Sequence, residues 1–124
     1  MMNYGPKKEY AYNRLKELAG AKQTITYGRL LREMDIDPIE SWEKNRHQEL
    51  IDILCKISSE EYEKGNPLLS ALVIHKEGDQ LPGKGFFVGL FEQIGKQPIY
   101  GPDQRLAFWV NEVNALYEKW KTEK

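Results

Sequence analysis

Residues 66–87 read NPLLSALVIHKEGDQLPGKGFF, and this stretch decides which fold the sequence predicts. The apolar and β-branched run over residues 68–76 is typical of a strand. The adjoining KEGDQLPGKG is rich in Gly and Pro, which indicates a tight turn, and residues 86–88 then predict a return strand. The stretch is therefore predicted to form a β-hairpin.

Two helices and a short extended segment are predicted in the first 34 residues. Ala11, Leu15 and Leu18 recur at helical spacing, and Pro6 and Gly20 stand where a helix begins and ends, so the first helix is predicted over residues 6–19. The β-branched Thr24, Ile25 and Thr26 predict an extended segment. Thr26 is also a suitable N-cap for a second helix, whose apolar stripe consists of Leu30, Leu31 and Met34.

A long third helix is predicted from Asp37 to about Lys64. Asp37 is a capping residue, Pro38 suits the first helical position, and Glu40 completes a capping box, while Gly65 marks the end. Its apolar stripe consists of Leu50, Ile53, Leu54 and Ile57. The stripe is widened by Ile51, Cys55 and Tyr62. The order helix, strand, helix, helix, strand, turn, strand predicts an α+β winged helix-turn-helix with a β-hairpin as its wing.

Two additional helices are predicted after the wing. The first has Phe87, Leu90, Phe91 and Ile94 at helical spacing before Gly95. The second has a seam with spacings of three and four, formed by Leu106, Trp109, Val113, Leu116 and Trp120. Two heptads are too few for a coiled coil, so the pattern favours a helix docked on its own domain. A homodimer through this helix is the alternative. We expect one domain over residues 1–124, with a core at about 6–88 and a helical extension at about 89–122.

Composition excludes several kinds of site. The 124 residues carry a net charge of -1 and a single cysteine, Cys55, beside only two histidines, His47 and His75. An intramolecular disulfide is therefore impossible, and a four-ligand Cys/His zinc site cannot be assembled. The scattered carboxylates and an isolated thiol predict a protein that is not an enzyme and needs no cofactor. No run resembles a signal peptide or approaches the ~20 apolar residues of a membrane span, so a soluble, cytoplasmic chain is expected.

Two motifs resemble those of a known family. TITYGRLLREM, residues 24–34, is similar to the segment that opens the helix-turn-helix of alkylguanine-DNA alkyltransferases and alkyltransferase-like proteins. His75-Lys76 comes after Asn66-Pro67 at the distance at which that family places the His-Arg of its Pro-Cys-His-Arg motif. The resemblance covers residues 24–86 and implies a DNA-binding winged helix.

This resemblance also implies roles for particular residues. Tyr27 would lie beside the phosphate of a flipped nucleotide, and Arg46 would be the family's arginine finger. Val73 and Ile74 stand where the family has the proline and the alkyl-accepting cysteine, so no alkyl transfer is expected. The chain is also similar to small uncharacterised bacterial and phage proteins with a PLLSALV strand and a PGxGFF wing, which implies an origin but no activity.

A nucleic-acid surface would need a local basic patch. Residues 24–85 carry eight basic and twelve acidic side chains, whereas phosphate contacts need basic ones. The candidate nucleic-acid-binding residues are Tyr27, Arg29, Lys44, Arg46, His47, Lys76 and Lys84. The competing hypothesis is a module of the same fold that binds a protein or a small ligand through aromatic residues such as Trp42, Tyr100, Trp109 and Trp120.

Overall fold

The computed structural model describes residues 5–34, 44–76 and 80–121, with the side chains of residues 6–34, 48–76 and 80–121. This part of the chain is mostly helical with a small parallel sheet, so its class is α+β. In chain order the elements are α1 (Gly5–Gly20), β1 (Ile25–Thr26), α2 (Tyr27–Glu33), α3 (Lys44–Glu63), a 3₁₀ helix (Leu69–Leu72), β2 (Val73–Ile74), a π-helical segment (Gly85–Leu90) that continues into α4 (Phe91–Gln93), and α5 (Pro102–Trp120).

The first two predicted helices and the extended segment between them are confirmed. Ala11, Leu15 and Leu18 on α1 are buried, as their spacing predicted. β1 is extended, and the side chain of Thr26 accepts a hydrogen bond of 3.2 Å from the backbone nitrogen of Arg29. This bond satisfies one of the free N–H groups at the start of α2, which is the function of an N-cap.

The third helix is confirmed where it is described. The predicted start at Asp37 and Pro38 lies outside the described residues, and α3 is described from Lys44. The helix ends at Glu63, and Gly65 comes two residues later with φ of 80°. Glycine adopts this left-handed conformation without strain, so it ends the helix at the predicted place.

The predicted β-hairpin is wrong. Residues 69–72 form a 3₁₀ helix, and only Val73 and Ile74 are extended. β2 pairs in parallel with β1, placing Val73 opposite Ile25 and Ile74 opposite Thr26. The predicted return strand is helical instead, from Gly85 to Leu90. In the described part of the chain, a parallel pair of two-residue strands therefore replaces the predicted hairpin wing.

The helical form of the return segment results from one-sided burial. Phe86, Phe87, Leu90 and Phe91 are all buried. A strand would point Phe86 and Phe87 to opposite faces, whereas a helical turn brings all four side chains to one side. There Phe91 meets Phe108 of α5 with 5.0 Å between ring centroids. The aromatic cluster thus favours helix over strand.

The last helix docks on its own domain, as its seam predicted. Val113 and Leu116 are buried in the common core, whereas Leu106 is 49% exposed. Trp109 Nε1 donates a 2.8 Å hydrogen bond to the carbonyl oxygen of Ala71. α5 is therefore fastened to the 3₁₀ helix. A homodimer through α5 stays a prediction.

Glu112 of α5 is predicted to make stability depend on pH. Its carboxylate accepts a 2.6 Å hydrogen bond from the backbone nitrogen of Leu68, and burial raises the pKa of this carboxyl above 4.5. The folded chain therefore holds this proton more tightly than the unfolded chain, so stability falls as pH rises from about 4.5 through the folded pKa. We expect Glu112→Gln, which keeps an acceptor oxygen, to lose less stability than the parent protein between pH 4 and pH 7 on urea unfolding.

Glu118→Gln on the same helix is the matched control. The carboxyl of Glu118 is exposed and has its pKa lowered by a hydrogen bond from Lys121. Its removal should therefore leave the downward slope of stability with pH in place. Identical pH profiles for the parent and Glu112→Gln would contradict the prediction.

Candidate functional site

A cavity of about 370 Å³ opens between α2, α3 and residues 83–86. Apolar walls come from Leu31, Leu54 and Phe86, and Tyr27, Ser70, His75 and Lys84 supply polar groups. This volume is within the range of small-molecule sites, about 300–1,000 Å³. A mainly apolar wall with a few polar groups is also the usual composition of such sites.

Tyr27 and His75 form an aromatic pair in the cavity wall. Their ring centroids lie 4.9 Å apart with an interplanar angle of 41°. The Tyr27 hydroxyl accepts a 3.1 Å hydrogen bond from the backbone nitrogen of Gly83. Burial raises the pKa of Tyr27 above its ordinary value, so the hydroxyl keeps its proton at neutral pH. The pair therefore gives the cavity wall aromatic ring surface and one hydroxyl that already accepts a hydrogen bond.

Two glycines of the LPGKG motif let the chain approach the cavity closely. A Cβ on Gly83 would lie 2.6 Å from His75 Nε2, and one on Gly85 would lie 3.0 Å from Ile51 Cγ2. Both distances are shorter than ordinary van der Waals contact. The glycines therefore position residues 83–85 against His75, which follows β2, on one side and against α3 on the other.

Cys55 lies at the cavity wall on α3. Its thiol is 3.8 Å from the carbonyl oxygen of Gly85. Burial, with a smaller effect from the Asp52 carboxylate, raises the pKa of the thiol to about 11. At neutral pH the sulfur is therefore a thiol and not the nucleophilic thiolate.

A second, more polar depression continues from the cavity along α3. Ile51, Cys55, Lys84 and Gly85 line both spaces, so the two lie next to each other. The side chains that line only the depression include Gln48, Asp52, Lys56 and Gln93. We call this space the lysine groove.

The structure brings only part of the predicted nucleic-acid surface together. Tyr27 and Lys84 meet in the cavity, and Lys76 is exposed beside His75. Arg29 instead pairs with Glu33 on its own helix, at 3.2 Å. The side chains of Lys44, Arg46 and His47, and the whole of Trp42, lie outside the described residues.

Sequence reasoning missed Gln48, Lys56 and Ser70. The signal that could have identified the first two was helical spacing: Gln48, Asp52 and Lys56 recur every four residues along one flank of α3. Nothing local distinguishes Ser70 from other residues of an apolar segment. Its place in the cavity depends on the packing of the 3₁₀ helix against α3.

The described residues contain neither a metal-binding cluster nor a membrane-spanning helix. No group of three or more His, Cys, Asp or Glu side chains there is arranged to hold a metal ion. Among the helices described, none combines the length and apolarity needed to cross a membrane.

Comparison with known proteins gives no family for this chain. No protein-family model matches it, and no curated protein or solved structure is significantly similar to it. The function is therefore inferred from the cavity, the lysine groove and the charges around them.

Proposed function

We propose that this chain is a non-enzymatic nucleic-acid-binding module that receives one unpaired base in its cavity. The observation that carries the proposal is that an apolar, aromatic-walled cavity and a groove containing lysines are neighbours and share Lys84 in their walls. Aromatic rings bind bases by stacking, and lysines bind the phosphates. The resemblance of residues 24–86 to alkyltransferase-like proteins agrees with the proposal.

The cavity has the surfaces that a base requires. Leu31, Leu54 and Phe86 provide apolar contact for the faces of a ring, beside the tilted rings of Tyr27 and His75. Stacking of a base on an aromatic side chain contributes about 1–3 kcal/mol and tolerates any base. The module is therefore proposed to bind without strong base preference.

The acidic residues of α2 and α3 do not oppose this proposal, because basic side chains of α1 pair with three of them. Lys7 lies 3.0 Å from Glu49, and Lys8 lies 2.7 Å from Glu60. Arg14 similarly holds Glu33, at 2.8 Å, which lowers the pKa of that carboxyl. The acidic excess of residues 24–85 is thus balanced in part by the basic first helix.

The absence of catalysis is proposed from the same site. The raised pKa of Cys55 leaves its thiol protonated at neutral pH. In the motif resemblance to alkyltransferases, Val73 and Ile74 stand at the positions of the proline and the reactive cysteine. A base would therefore be bound and released without being modified.

A second candidate function is binding of a free, neutral heteroaromatic molecule. The apolar character of the cavity favours it, because such a ligand would need no phosphate contact. This candidate predicts binding that is insensitive to salt, whereas a nucleic acid predicts affinity that falls steeply as salt rises.

The proposal is tested by filling the cavity with a bulky side chain. Cys55→Trp would place a large ring in it, and Glu63→Trp adds the same side chain at an exposed position on the same helix. With a fluorescent single-stranded oligonucleotide at low salt, we expect Cys55→Trp to bind about tenfold or more weakly than the parent and Glu63→Trp to bind normally. Circular dichroism would establish that both variants are folded.

An oligonucleotide carrying one 2-aminopurine gives an independent measurement on the parent protein. Stacking in the cavity should change its fluorescence on binding, and Cys55→Trp should abolish that change. No binding of any oligonucleotide at low salt would overturn the proposal. Salt-independent binding of a free nucleoside, without oligonucleotide binding, would establish the second candidate instead.

A further inference from the structure

We propose that the lysine groove binds the backbone phosphate next to the inserted base, so that the preferred partner is a single strand and not a duplex. The inference rests on the proposed function and adds the class of nucleic acid and the residues that contact its backbone. It assigns Lys84 and Lys56 as successive contacts for a strand that leaves the cavity and runs along α3.

The geometry places a phosphate site where the chemistry of a nucleotide needs one. Lys84 and Gly85 line both the cavity and the groove, so the two spaces meet at these residues, and Lys84 is exposed there. In a nucleotide, the base is joined to its phosphate through one sugar. A base held between the cavity walls therefore delivers its backbone to Lys84.

The two lysines are available for a phosphate. Lys84 forms no ion pair with the residues that the structure describes, and its side chain is exposed. Lys56 Nζ lies 3.9 Å from Glu60, whose closer partner is Lys8 at 2.7 Å. The Lys56 pair is also exposed, and such pairs contribute little, so a phosphate can replace it.

One carboxylate faces the groove and limits its positive charge. Asp52 lies one helical turn before Lys56 on α3 and accepts a 2.8 Å hydrogen bond from Gln48 Nε2. The two lysines and this one aspartate leave the described lining of the groove with a net positive charge. That sign attracts a phosphodiester backbone and disfavours a basic peptide.

The floor of the groove lets a sugar-phosphate backbone come close to the main chain. Gly89 lines the groove one helical turn after Gly85, whose own Cβ position faces Ile51 of α3. Space is open at Gly89, where an added Cβ would meet nothing within 4 Å. A strand can therefore lie against this turn while Lys84 and Lys56 contact its phosphates.

A single strand is favoured because the cavity accepts only a base that has left its pair. Extruding a base from a duplex costs a few kcal/mol of unpairing and unstacking, and a single strand avoids most of this cost. The same contacts then give tighter binding to single strands. A fully paired duplex of the same sequence should bind at least about tenfold more weakly.

The test measures how affinity depends on salt. Each phosphate contact on a single strand contributes about 0.7 to the slope of log K against log salt. We expect Lys84→Gln and Lys56→Gln each to reduce the slope by about that amount for a single-stranded DNA oligonucleotide. Lys96→Gln is the matched control, since Lys96 is an exposed lysine that lines neither the cavity nor the groove.

Different outcomes would overturn the inference and the proposed function. Normal 2-aminopurine insertion with unchanged slopes in Lys84→Gln and Lys56→Gln, or tighter binding to the paired duplex, would overturn the inference and leave the base cavity standing. No oligonucleotide binding by the parent would overturn the proposed function itself. As a further check, a neutral methylphosphonate next to the 2-aminopurine should abolish the effect of Lys84→Gln.

Discussion

Replacing Phe87 by Ala is expected to lower the free energy of unfolding by about 3–5 kcal/mol. The Phe87 side chain is fully buried, and its ring centroid lies 5.0 Å from that of Phe86 and 6.3 Å from that of Phe91. Its truncation removes apolar burial and leaves a cavity in the aromatic cluster that joins the π-helical segment to the rest of the core. Urea unfolding at neutral pH measures the change.

Urea unfolding of Phe86→Ala, compared with Phe87→Ala, tests whether this segment is a helix or a strand. In a strand, Phe86 and Phe87 would point to opposite faces, and the one facing solvent could be truncated with little effect. In the helical segment both are buried, so both substitutions should be strongly destabilising. Tyr100→Ala, at a residue that is 68% exposed, should change stability by less than about 0.5 kcal/mol. A small effect at either phenylalanine would argue against the helical packing.

The helices could be predicted from sequence because their signals are local. Leu15 and Leu18 on α1 and Val113 and Leu116 on α5 recur with the helical period, and all four are buried. Thr26 could be identified as a cap because the capping bond joins residues only three positions apart. Each of these features depends on neighbours within one or two turns.

The sheet could not be predicted because its pairing is not local. Val73 pairs with Ile25, and β1 and β2 are only two residues each, too short to show an alternating pattern. The Gly and Pro residues before Gly85 predict a change of direction, but they do not specify whether a strand or a helix comes after the turn. Burial of Phe86 and Phe87 on one side favours the helix.

The candidate site was predictable in part. Tyr27 and Lys84 could be identified from sequence, and the structure brings them to one cavity. The acidic count over residues 24–85 is misleading, because the partner of Glu49 is Lys7, which lies outside that range. Pairing between elements decides which charges remain unpaired at a surface, and a count along the sequence does not contain that information.

Replacing Ser58 by Ala is expected to lower the free energy of unfolding by about 2 kcal/mol. Ser58 on α3 is fully buried, and its hydroxyl oxygen lies 2.7 Å from that of Ser70 and accepts a 3.0 Å hydrogen bond from the Ser70 backbone nitrogen. The substitution would leave this buried N–H without its acceptor, and an unsatisfied buried donor is destabilising by about 1–3 kcal/mol. Urea unfolding provides the measurement.

Two neighbouring substitutions isolate the cause. Ser70→Ala removes the other hydroxyl but leaves the bond from the Ser70 nitrogen to Ser58, so it should be less destabilising. Ser59→Ala is the matched control one position along α3, since the Ser59 hydroxyl donates to the carbonyl oxygen of Lys56 within the same helix and its other bond, from Gln93, is exposed. Equal effects for Ser58→Ala and Ser59→Ala would show that the buried pair contributes nothing particular.

The buried serine pair also connects stability to the candidate site. Ser70 lines the cavity, and its link to Ser58 fastens the 3₁₀ helix to α3 on the side where a base is proposed to enter. Ser58→Ala should therefore weaken oligonucleotide binding even under conditions in which the protein stays folded, because the cavity wall loses its anchor. Ser59→Ala leaves the buried pair intact and removes only an exposed 3.3 Å hydrogen bond from the groove residue Gln93, so it should weaken binding less. Equal weakening by both variants would assign the effect to α3 as a whole.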